Sequence, residues 1–141
     1  PEQWSMPLMA DEPPAPLGET SGLADIADWL ATPAAVGTFI SDADLVAIGR
    51  TLELPRGFGA RAQRIETMLR SAVDYGLVPQ AVEGVSGLLQ RRRAAMVELG
   101  RTHVHRELIA PWLTRLDRGL EVAGTLAEAA LRAAQPTEER T

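Results

Sequence analysis

Cysteine, lysine and asparagine are all absent from this chain, and each absence removes a branch of chemistry. Without cysteine there is no disulfide, no thiolate zinc site and no cysteine nucleophile. Without lysine there is no Walker-type phosphate loop, no Schiff base and no pyridoxal-phosphate anchor, and all 14 basic residues are arginine. No Asn-Gly or Asp-Gly hairpin turn occurs, and no sustained period-two alternation marks a strand. Aromatic residues make up only 4%, so the core must be built from Leu, Val, Ile and above all Ala. No apolar run reaches the ~18 residues of a membrane span, and no signal peptide is visible, so the expected location is cytoplasmic. Nineteen acidic residues leave a net charge of -5 and a pI near 5.0, which argues against general nucleic-acid binding and against an anionic membrane surface.

What is present is one domain's worth of core, 141 residues with 45% hydrophobic. Residues 1–21 read as a proline-rich extended arm, 22–134 as a single helical domain and 135–141 as a polar tail. Pro1, Pro7, Pro13, Pro14 and Pro16 oppose helix in the arm. The arm also carries Trp4, Met6, Leu8 and Met9, an apolar cluster expected to dock on the body of the domain or on another chain.

Beyond the arm, apolar spacing and stop signals predict an all-α bundle of five to seven helices. Ser21 or Thr20 can cap a helix with the stripe Leu23, Ile26, Ala27, Leu30. Thr32-Pro33 opens a short helix that should reach Phe39 and Ile40. Ser41 caps a third, with Asp42 and Asp44 in its first turn, and Leu54-Pro55 ends it. A Gly57-Phe58-Gly59 turn leads to a fourth helix carrying Ile65, Met68, Leu69, Ala72 and Val73 and closing at Gly76. A fifth runs from about Pro79 to Leu99 with the seam Val82, Val85, Leu89, Arg92, Met96, Leu99. Arg92 falls on that seam and must snorkel or pair with a carboxylate. Gly84 and Gly87 within it suggest the close approach of a neighbouring helix. Last come Ile109, Leu113, Leu116, Leu120, Ala123, Ala127, Ala130 and Ala134, spaced alternately four and three apart, the pattern of one long heptad helix. Pro111 must kink this helix or start it. Its Ala-rich end would outrun the shorter helices, so a two-fold homodimer through Ala123, Ala127 and Ala130 is expected.

Candidate chemistry is sparse. His103 and His105 point about 200° apart on a helix, so they cannot share a metal there. His103 and Glu107 share a face, but a metal site needs three or four protein ligands. Arg91-Arg92-Arg93 fans across about 200° and reads as a solvated face with ion pairs. Ser86, in Gly84-Val85-Ser86-Gly87, lacks the spacing and the strand of a nucleophile elbow. Glu66 and Arg70 have the favourable i, i+4 orientation of a helix-surface pair. No pair of acidic residues is set for general acid and base work, so no catalysis, cofactor or metal is expected.

Residues 41–90 resemble the bacterial effector-associated, death-like adaptor domains. The resemblance lies in Asp44-Leu45-Val46-Ala47-Ile48-Gly49-Arg50, then Leu52-Glu53-Leu54-Pro55 and the glycine turn. It continues through Ile65-Glu66-Thr67-Met68-Leu69 to Asp74-Tyr75-Gly76-Leu77-Val78-Pro79. It implies a small helical bundle that recruits other proteins without catalysis. The hairpin from Leu45 to Leu69 also resembles SAP-like helix-extended-loop-helix DNA binders, which would use Arg56, Arg61 and Arg64. The expected function is therefore a non-enzymatic adaptor or assembly module whose partner is another protein or a second copy. The alternatives are a DNA-binding or regulatory domain using the Arg56–Arg64 hairpin, and a bundle enclosing a small apolar ligand.

Overall fold

The computed structural model describes residues 17–18, 21–55, 57–102 and 106–135. Trp4, Met6, Leu8, Met9, Arg56, His103 and His105 lie outside the described residues. Among those described there are seven α-helices and no strand, an all-α bundle as the spacing predicts.

Helix α1 (Leu23–Ala31) buries Leu23, Ile26, Ala27, Trp29 and Leu30. Its cap is not the Ser21 hydroxyl, which accepts from the Gly18 N–H at 2.9 Å. The first turn is instead closed in reverse, the Asp25 carboxylate accepting from the Gly22 N–H at 2.8 Å. Helix α2 (Pro33–Val36) starts on proline as expected but stops short of Phe39, because Gly37 turns left-handed at φ 99°. In α3 (Asp42–Leu52) the reciprocal box is complete. The Ser41 hydroxyl accepts from the Asp44 N–H at 3.1 Å, and the Asp44 carboxylate accepts from the Ser41 N–H at 2.9 Å. The helix ends where Glu53 takes φ 56° and the Leu54 N–H donates to the Gly49 carbonyl at 2.8 Å.

Helix α4 (Arg61–Tyr75) closes on left-handed Gly76, and α5 (Val78–Thr102) is the longest element. A 3₁₀ turn (Arg106–Leu108) precedes α6 (Ala110–Ala123), whose first turn holds Pro111, and α7 (Leu126–Ala133) follows. Helix α1 lies along α4, α6 lies along α5, and α3 packs mainly on α5. Helix α7 touches α1, α4, α5 and α6 and closes one side of the core.

The heptad pattern does not make one long helix. Thr125 leaves helical geometry at φ -114° and ψ 5°, and its amide and hydroxyl both turn back on the Val122 carbonyl. The buried stripe beyond this break is Leu126, Ala129 and Ala130 rather than a continuation through Ala127 and Ala134. Redirected in this way, α7 turns Leu126, Ala129 and Ala130 into the chain's own core, and Ala123 at the end of α6 is buried beside it. Ala127 is half-buried against the same core. Of the three residues expected to carry self-association, Ala123 and Ala130 are therefore interior and Ala127 is half-buried.

Two glycines bring α2 down onto α6. A Cβ at Gly119 would collide with the Val36 carbonyl, and one at Gly37 would collide with the backbone of Leu116. The end of α2 thus rests on the main chain of α6, with Val36 fully buried between them.

Candidate interaction surface

Ahead of α4 stand two left-handed glycines, Gly57 at φ 67° and Gly59 at φ 102°. Both are seated on the first turns of α4. A Cβ on Gly57 would stand 3.0 Å from the Thr67 hydroxyl, and one on Gly59 would run into the Gln63 carboxamide. Gln63 Oε1 accepts from the Ala60 N–H at 2.9 Å and caps the helix from within. Between the glycines Phe58 is 94% exposed, the most exposed of the large apolar side chains described. The sequence marks this triplet as a turn, but nothing in its spacing says that the ring faces water.

Phe58 stands at one end of a surface groove of about 450 Å³ that follows the outer face of α4 past Thr67, Arg70, Ser71 and Asp74. That face is polar because the inner one takes Ile65, Met68, Leu69 and Ala72. Arg70 and Glu66 pair at 2.8 Å across one turn. Asp74 pairs with no described side chain, and the neighbouring Tyr75 is 63% exposed.

Several other candidate residues tie elements of the bundle to one another. Arg61 donates to the Ala31 carbonyl at 2.6 Å and the Ile40 carbonyl at 3.1 Å, and its guanidinium lies 4.3 Å from the centre of the Phe39 ring. Arg64 pairs with Asp42. With both engaged, the Arg61–Arg64 part of the hairpin is not a free cationic face. Arg92 finds the carboxylate its seam position demands, holding Asp44 at 2.8 Å and the Phe39 carbonyl at 3.0 Å. Burial raises the Asp44 carboxyl, but bonds from the Ser41 amide and hydroxyl and from Arg92 outweigh it and hold the group below its ordinary 3.8. Arg93 pairs with Asp117 at 2.6 Å, and Arg91 remains at the surface. Gly84 meets α3 closely, since a Cβ there would stand 3.2 Å from Ile48, whereas Gly87 faces only the Arg91 side chain of its own helix.

An apolar cavity of about 30 Å³ lies in the core among residues that include Ile40, Leu45, Leu54, Ile65, Met68 and Val82. That is far below the roughly 150 Å³ at which a dry cavity accepts benzene. Ser86 is half-buried within α5, and among the described residues no group of three or more His, Asp and Glu is placed to hold a metal ion. Among the described residues, no helix is long and apolar enough to cross a membrane. No family model, no curated protein and no solved structure matches this chain.

Proposed function

We propose that this chain is a non-enzymatic helical module that binds another protein, in the manner of an adaptor or assembly domain. The observation that carries this reading is the division of labour among its side chains. Arg61, Arg64, Arg92 and Arg93 fasten helices to one another, while Phe58, Tyr75, Leu108 and other large apolar side chains face water. Exposed aromatic side chains on a firmly tied scaffold are the usual raw material of a protein interface. The resemblance of residues 41–90 to death-like adaptor domains points the same way. Purified protein should be tested by biolayer interferometry against the products of the genes adjacent to its own. Saturable one-to-one binding supports the reading. Turnover in a broad substrate screen, without any such binding, would overturn it.

A further inference from the structure

We propose that Phe58 is the anchor through which this domain docks on a partner protein, one that presents an apolar socket rimmed by basic side chains. The inference rests on the protein-binding reading above and names its surface. A ring 94% exposed adds almost nothing to the core, so its stabilising work inside the chain is negligible. The described part of the turn beneath it approaches α4 closely: Gly57 lies against Thr67, Gly59 against Gln63, and Gln63 also caps α4. Because the ring packs on so little of its own chain, entering a partner's pocket would bury nearly all of its apolar surface, which is the property of a binding hot spot.

Charge selects the partner. Among the described residues lining the groove beside Phe58, Glu66 and Asp74 stand against Arg70, and Arg70 is already matched by Glu66. Asp74 is left to attract a cation from outside. The chain as a whole carries a net charge of -5, so two copies repel one another, whereas a basic surface is drawn in. A foreign protein with a basic rim therefore fits this face better than a second copy does.

The test uses the full chain, immobilised, to select from a random dodecapeptide library displayed on phage. Selected peptides should combine bulky apolar residues with Arg or Lys. Measured by fluorescence anisotropy, they should lose affinity by roughly tenfold or more for Phe58→Ser. They should lose several-fold for Asp74→Asn, and bind more weakly as salt rises. Leu131→Ser, at another exposed apolar site, should bind like the parent. Thermal melting of Phe58→Ser must match the parent; a clear loss of stability would show a structural ring and overturn the proposal. So would selection of acidic peptides, or no selection at all. Specific peptides indifferent to Phe58 would sink the docking site while leaving the protein-binding reading intact. Sedimentation velocity showing Phe58-dependent self-association would make the occupant a second copy. Amide shifts around Phe58 that move in Trp4→Ala would make it the chain's own arm. Either result overturns the proposal.

Discussion

Nη2 of Arg92 sits 2.8 Å from both carboxylate oxygens of Asp44, tying the middle of α5 to the first turn of α3. The same carboxylate accepts from the Ser41 amide and hydroxyl, so one side chain both caps a helix and docks it. Replacing Asp44 with Ala keeps the Ser41 hydroxyl as cap, but removes the acceptor of the Ser41 N–H and leaves Arg92 without its charge partner. Losing these two hydrogen bonds costs about 1 kcal/mol each, so a destabilisation of about 2 kcal/mol is expected. Urea denaturation should show it as a lower midpoint with unchanged slope.

The pH dependence has a definite sign. The Asp44 carboxyl is more acidic in the folded chain than its ordinary 3.8, so the unfolded chain takes up its proton first as pH falls. Its contribution to stability is complete above that value and disappears as pH drops through the folded pKa. Stability curves for the parent and for Asp44→Asn should therefore differ most at neutral pH and converge below about pH 4. Curves that stay parallel into acid would refute this.

Glycine-to-alanine substitutions should take opposite signs at two positions in helices. Gly119→Ala drives a Cβ into the Val36 carbonyl, and a backbone atom cannot swing away. Helix propensity gains about 1 kcal/mol, but overpacking against main chain costs more, for a net loss of about 1–3 kcal/mol. Gly87→Ala meets only the mobile end of Arg91 and should stabilise by up to about 1 kcal/mol. Thermal melts of the two variants side by side decide the matter.

The same contrast shows what local sequence reveals. Caps, stops and apolar stripes are local, so the Ser41 box, the Gly76 terminus and the Leu23–Leu30 stripe are legible. Arg92 on an apolar seam also announces a distant carboxylate, though not which one. Gly37 ends α2 by the same left-handed signal, but its seat on the backbone of α6, 79 positions along the chain, is not local. The break at Thr125 hides behind a perfect heptad because spacing records only which residues are apolar. Leu126 completes a better-buried face once the helix turns. Phe58 is illegible for a related reason: an aromatic residue in a glycine turn packs inward or faces water according to the bundle around it.

The core cavity makes a modest prediction. Val82 lines it, and Val82→Ile adds one methylene to a space of about 30 Å³. Filling it should stabilise by about 0.8 kcal/mol. Ile65→Val enlarges the same space and should cost about 0.5–1.5 kcal/mol. Chemical denaturation of both variants tests whether the cavity is a packing gap. Destabilisation by Val82→Ile would show that the walls have no room to accept it.

Arg61 is the fastening that lysine cannot replace. Its guanidinium bonds the carbonyl of Ala31 at the end of α1 and that of Ile40 before α3, and lies over Phe39. One planar fork thereby joins three segments from the first residue of α4. An ammonium group can reach one carbonyl but cannot span both while stacking flat on the ring. Arg61→Lys keeps the charge yet leaves one part-buried carbonyl poorly served, a loss of about 1–2 kcal/mol. Phe39→Ala should cost less than about 1 kcal/mol, because the ring is 52% exposed and such stacking is weak in water. In a double-mutant cycle the two should couple through the stacking alone, leaving most of the Arg61 effect intact in the Phe39→Ala background. An Arg61→Lys variant as stable as the parent would show that the two carbonyls find water as readily as the guanidinium.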